Sequence, residues 1–248
     1  MPSRAPSNLL IAGSLVALGV VFVAAIAFSP RPADIPFAEQ SPEPTYAAPA
    51  GAPVEELDPS SASITDLVDE AWLVATATRT GISERALAAY AGAAIAKSKL
   101  TPTCGLSWNT LAAIGYVESY HGTYGGSEIG ATGKISPGIY GIALDGSSTA
   151  HIPDSDDGQF DGDEQYDRAV GPMQMIPQTW RNWRTDANAD GKRDPQNIDD
   201  AVMAAANYLC RASPDMIGVA GWKAGIASYN SAPSYLIRIA KTAIEYAG

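Results

Sequence analysis

Cysteine and histidine are scarce in this chain of 248 residues, which has two of each: Cys104, Cys210, His121 and His151. No CxxC pair occurs. A zinc site therefore has few ligands to draw on, and a Cys-His nucleophile little to build from. Basic residues are also in short supply, with 16 Lys and Arg against 27 Asp and Glu, for a net charge of −11. Between residues 151 and 200 the imbalance reaches 12 acids to 5 bases. That sign of surface speaks against nucleic acid, which selects basic faces. It fits bound cations or an uncharged substrate, and equally a solvated acidic face. No internal repeat is visible. What the chain does have is 46% hydrophobic residues, enough for one good-sized core with a tail.

Residues 9–28 form a run of 20 without charge, long enough to span a bilayer as a helix. Arg4 and the amino terminus precede it, which puts residues 1–8 in the cytoplasm. The run reads either as an uncleaved anchor or as a signal peptide cut after Ala27, since Ala25-Ile26-Ala27 is an acceptable cleavage site. No cysteine follows it, which excludes a lipoprotein. In both cases the remainder lies outside the cytoplasm. Residues 29–62 carry prolines at 30, 32, 36, 42, 44, 49, 53 and 59. Such a segment buries no core and is expected to be an extended tether. In an exported chain, Cys104 and Cys210 are expected to form one disulfide, the alternative being two buried thiols.

The folded domain is expected over residues 63–248. Ser63 and Asp66 suggest a helix start running to about Arg79, and Ser83 caps a second helix to about Lys99. Ser107 caps a third, from Trp108 to Ser119. Residues 125–159 read as loops with a short hairpin near 135–142. Pro172 is placed at a helix start, with that helix running to about Trp183. Asp199 and Asp200 open another to Arg211, and Trp222–Tyr229 and Pro233–Ala247 close the chain. The reading is a mainly α domain with one long loop region.

Glu118 stands out on the third helix. It shares a stripe with Leu111, Ile114 and Gly115, so its carboxyl group lies at a core-facing helix end. Burial raises a carboxyl pKa, which is what a general acid near neutral pH requires. Glycosidases commonly use two carboxylates, yet no second acid stands out near Glu118. A one-acid enzyme needs another nucleophile, and a substrate N-acetyl group can serve.

Four separated motifs extend this reading. They are Val117-Glu118-Ser119-Tyr120-His121-Gly122, residues 169–180 (AVGPMQMIPQTW), residues 199–209 from Asp199-Asp200-Ala201 to Asn207-Tyr208-Leu209, and Tyr229-Asn230-Ser231. In order and spacing they resemble the membrane-bound lytic murein transglycosylase B family, over roughly residues 83–248. The resemblance implies a lysozyme-like (α+β) fold and cleavage of the β-1,4 bond between N-acetylmuramic acid and N-acetylglucosamine in peptidoglycan, leaving a 1,6-anhydro end. It implies Glu118 as acid and then base, with Ser119, Gln174, Tyr229 and Asn230 around the substrate. Met175 stands where that family often has Phe, a swap that roughly conserves volume. Residues 125–167 differ from the better-known members in length and composition.

Asp186-Ala187-Asn188-Ala189-Asp190-Gly191-Lys192 matches the start of an EF-hand loop, with oxygen ligands at Asp186, Asn188 and Asp190 and a carbonyl at Lys192. Asn197 occupies the usual closing acid position. A longer loop closed by Asp200 resembles the calcium loop of the same family, so calcium is expected as a structural ion. Asp154-Ser155-Asp156-Asp157-Gly158 with Asp161-Gly162-Asp163 is a weaker cation candidate. Two rival functions remain open. A hydrolytic muramidase on the same scaffold would draw a second acid from Asp163, Glu164 or Asp167. A catalytically silent wall-binding module would need neither acid nor glutamine.

Overall fold

The computed structural model describes residues 51–53 and 63–248. The expected anchor and most of the expected tether lie outside these residues. Among the described residues no helix is long and apolar enough to cross a membrane. Among the described residues seven α-helices carry the fold: α1 (Glu70–Thr80), α2 (Glu84–Leu100), α3 (Trp108–Ser119), α4 (Pro177–Trp183), α5 (Ile198–Ala212), α6 (Val219–Tyr229) and α7 (Pro233–Ala247). One antiparallel ribbon, β1 (Glu128–Ile129) with β2 (Ile135–Ser136), pairs Glu128 with Ser136 and Ile129 with Ile135. The mainly helical content fits the expected lysozyme-like architecture.

Helix α3 runs through the middle of the core. From Trp108 to Gly115 every residue is buried, so this stretch has no polar face and must be wrapped on all sides. Helices α2, α5 and α7 supply the wrapping. Gly115 is required on the α2 side, because a Cβ there would stand 2.1 Å from the Tyr90 hydroxyl oxygen. The expected disulfide is present: Cys104, just before α3, is bonded to Cys210 on α5.

Several boundaries differ from expectation for local reasons. The stretch opening at Ser63 is a single 3₁₀ turn, Ile64–Leu67, that ends where Val68 turns extended. Asp69 then caps α1 by accepting the Trp72 N–H at 2.8 Å. Ser107 makes no cap bond; its hydroxyl pairs instead with that of Thr110 at 2.9 Å. Asn197 caps α5 and makes Ile198 its first residue. Pro172 does not begin a helix. Residues 170–175 form a tight reversal in which Val170 and Met175 exchange backbone hydrogen bonds (2.9 and 3.3 Å). Gly171 and Gln174 take left-handed φ values of 72° and 46° there. A helix has no place for such angles, so α4 starts at Pro177.

Candidate active site

Glu118 occupies the last turn of α3, half-buried where the helix runs out. Tyr120 leaves that helix in the left-handed conformation (φ 51°), and His121 continues it (φ 59°). The turn is pinned by Ser119, whose buried hydroxyl accepts the Gly122 N–H at 2.8 Å and donates to the Pro172 carbonyl at 2.7 Å. Ser119 therefore ties the 170–175 reversal to the end of the Glu118 helix, and it faces the interior rather than a groove. His121 bridges the Tyr90 and Tyr246 hydroxyls at 3.2 and 2.9 Å. Burial holds its pKa down at about 4, so the ring is neutral at physiological pH.

The Glu118 carboxyl group accepts a 2.6 Å hydrogen bond at Oε1 from the Tyr235 hydroxyl on α7. Burial is the largest influence on its pKa and pushes it up to about 7; the Tyr235 bond and the Arg238 charge act more weakly in the opposite sense. No other carboxylate is among these influences. Tyr235 and Arg238 lie three residues apart on α7, hence on one helix face. Neither was marked by the sequence. The available signal was weak: the only cue is that the face of α7 turned toward α3 carries a hydroxyl and a cation.

A groove of about 410 Å³ is lined among others by Leu144, Ile152, Gln174, Tyr208, Tyr229 and Asn230; Glu118 and Tyr235 do not line it. Three of the residues expected around the substrate thus share one cavity. Gln174 is held by the reversal, and its amide Nε2 donates to the Gly171 carbonyl at 2.9 Å. Tyr229 ends α6, donates to the Met173 carbonyl at 2.6 Å and feels the Glu118 charge, which links groove and carboxyl group. Trp183, Tyr208 and Tyr229 form an edge-to-face aromatic row, with centroids 6.4 and 5.8 Å apart. Met173 and Trp180 are fully buried packing residues.

The Asp186–Asp200 segment follows α4 and closes with Asp200 in the first turn of α5. Asp186 Oδ1 and Oδ2 accept the N–H groups of Asp190 (3.1 Å) and Gly191 (2.8 Å), and Gly191 supplies the required positive φ of 82°. Asp200 accepts the N–H groups of Ala187 and Asp194 at 2.7 and 2.9 Å. Burial first, then the charges of Asp186 and Asp190, push Asp200 up to about 7. Asn188 Oδ1 accepts the Asp190 N–H (3.1 Å), and the Lys192 N–H donates to Asp190 (2.8 Å). The donor set is all oxygen and carries excess negative charge, which suits a hard cation.

Residues 164–227 match the family model described as the Transglycosylase SLT domain. That is about a quarter of the chain. It takes in Gln174, the Asp186–Asp200 loop and Cys210; Glu118, Tyr229 and Asn230 lie outside it. The match supports a transglycosylase-type family, and with it an enzyme domain acting on peptidoglycan, without singling out one branch. No curated protein and no solved structure matches the chain.

Proposed function

We infer that this protein is a lytic transglycosylase of peptidoglycan. The observation that carries the reading is Glu118: one half-buried carboxyl group with its pKa pushed up to about 7, fixed by Tyr235, and linked electrostatically through Tyr229 to a groove that holds Gln174, Tyr229 and Asn230. Such a group is protonated often enough at neutral pH to act as acid, and basic enough afterwards to act as base.

In the first step the Glu118 proton passes to the glycosidic oxygen as the C1–O bond breaks. The N-acetyl carbonyl oxygen of the muramic residue stabilises C1 from within the substrate. In the second step the Glu118 carboxylate takes the proton of the muramic 6-hydroxyl while that oxygen attacks C1. The acid is restored and a 1,6-anhydro end is left. The Tyr235 hydroxyl stabilises the carboxylate between the two steps, when its hydrogen bond becomes charge-assisted. Gln174 and Asn230 offer amide groups to sugar hydroxyls, and the aromatic row offers ring faces.

The hydrolytic alternative needs a second acid to activate water. Of its candidates, Asp163 is paired with Arg168 at 2.7 Å, and Asp167 is fully buried against Ser155. Glu164 is exposed on the loop. This favours the one-acid route. In the proposed reading calcium belongs to the Asp186–Asp200 loop and acts structurally, and residues 9–28 hold the domain at the outer face of the membrane or are removed on export.

The deciding experiment incubates purified protein with peptidoglycan and weighs the fragments by mass spectrometry. Anhydro ends, lighter by one water than hydrolysed ends, are expected. Hydrolysed ends would make the protein a muramidase, and uncut strands a binding module.

A further inference from the structure

The loop before Gln174 holds a second group of acids. Between Leu144 and Asp167 the backbone folds back on itself. Ile152 N–H donates to Leu144 O (2.8 Å), Asp167 N–H to Ile152 O (3.1 Å), and Leu144 N–H to Asp167 O (3.1 Å). Leu144 and Ile152 line the groove, so the Asp167 backbone is hydrogen-bonded to its wall.

Asp167 is fully buried, and among the described residues its carboxylate has no Lys or Arg partner. Asp154 and Asp156 converge on it: one oxygen from each of the three carboxylates lies within 4.8 Å of the other two. Asp156 supplies an independent sign. It is 8% exposed, and its Oδ2 accepts the Phe160 N–H at 2.7 Å. Its Oδ1 is buried with no hydrogen-bond partner among the described residues. A buried carboxylate oxygen left unpartnered is costly unless something positive meets it.

We propose that Asp154, Asp156 and Asp167 bind a divalent cation, calcium by their chemistry, which clamps the wall of the groove. The ligands are all carboxylate oxygens, the donors of hard cations. A spread of at most 4.8 Å is about twice a calcium–oxygen distance of about 2.4 Å. The carboxylates are already oriented by outer hydrogen bonds. Asp167 is held by the Ser155 N–H and hydroxyl at 2.8 and 2.9 Å, and Asp154 Oδ2 by the Asp157 N–H at 3.0 Å. The site is separate from the Asp186–Asp200 loop and does not depend on which bond the enzyme cuts.

Calcium is titrated calorimetrically into the metal-stripped full chain and into Asp156→Asn and Asp190→Ala. Asp156→Asn is expected to lose one calcium equivalent that Asp190→Ala keeps. Equal equivalents in wild type and Asp156→Asn would overturn the proposal. So would loss of all binding in Asp190→Ala alone. Should Asp156→Asn fail to fold, the half-exposed Asp154→Asn serves for the same count. Limited proteolysis of the wild-type chain adds a test without any substitution: calcium is expected to slow cleavage within residues 145–168 at least tenfold, and an unchanged rate there would count against the site.

Discussion

At the residue scale the decisive quantity is the proton on Glu118. Glu118→Gln keeps the volume and the Tyr235 contact but removes the exchangeable proton, so cleavage should fall at least about 100- to 10,000-fold. Retention of a tenth of the activity in a folded variant would remove Glu118 from the mechanism. The same pKa sets a stability trend. Glu118 titrates at about 7 in the fold against an ordinary value of 4.5, so the folded state binds the proton more tightly than the unfolded chain. This contribution is fully present below pH 4.5 and is lost as pH rises through 7. Thermal melts of Glu118→Gln and wild type should therefore diverge between pH 5 and 8, with the variant gaining at the alkaline end; parallel curves would contradict the raised pKa. Tyr235→Phe tests the partner. Its hydrogen bond lowers the Glu118 pKa, so losing the hydroxyl should move the alkaline limb of the activity profile to higher pH. An unmoved limb would leave Tyr235 a packing residue.

At the element scale the reversal at 170–175 is what brings Gln174 to the groove, and a glycine makes it possible. A Cβ on Gly171 would stand 1.8 Å from the Pro195 carbonyl oxygen, and φ there is +72°. Gly171→Ala must therefore shift backbone as well as adopt a strained angle. A cost of at least about 1–3 kcal/mol is expected, together with lower activity, measured by denaturant melts and turnover; an unchanged midpoint would show that the loop yields freely. This reversal also marks the limit of sequence reading. Helices α2, α3 and α7 were legible because caps, prolines and apolar stripes are local signals, and Glu118 was legible because it interrupts an apolar face. Pro172 offers a helix N1 signal, so the sequence predicts a helix start at the 170–175 loop, while the competing reversal is tied to Ser119, 53 residues away, through the Pro172 carbonyl. Tyr235 was invisible for a related reason: its meaning comes from the packing of α7 on α3, across more than a hundred residues. Ser119, expected beside the substrate, proved to be a tie between two segments, which only the Pro172 contact reveals.

At the scale of the whole molecule one covalent device joins α5 to the rest, and the proposed reading adds an ionic one. Cys104–Cys210 closes a loop of 106 residues between the entry to α3 and the end of α5. A closure of that size contributes on the order of 4–5 kcal/mol in the chain-entropy model. For a domain of this length, reduction should lower the melting temperature by roughly 10 °C, and non-reducing peptide mapping should recover the linked pair; two freely alkylated thiols would remove the bridge. The ionic device is the Asp186–Asp200 loop at the other end of α5. Burial first, then the charges of Asp186 and Asp190, raise Asp200; in the proposed reading a cation bound there would relieve that repulsion in the folded state alone and stabilise it by mass action. Glu118 and the substrate's own groups carry the proposed chemistry without a Lewis acid. Added calcium should therefore raise the melting temperature, with a smaller gain in Asp190→Ala, while turnover at saturating substrate well below melting changes little. Chelation that abolished turnover but left the melting curve in place would move the ion into the chemistry and overturn the one-acid mechanism.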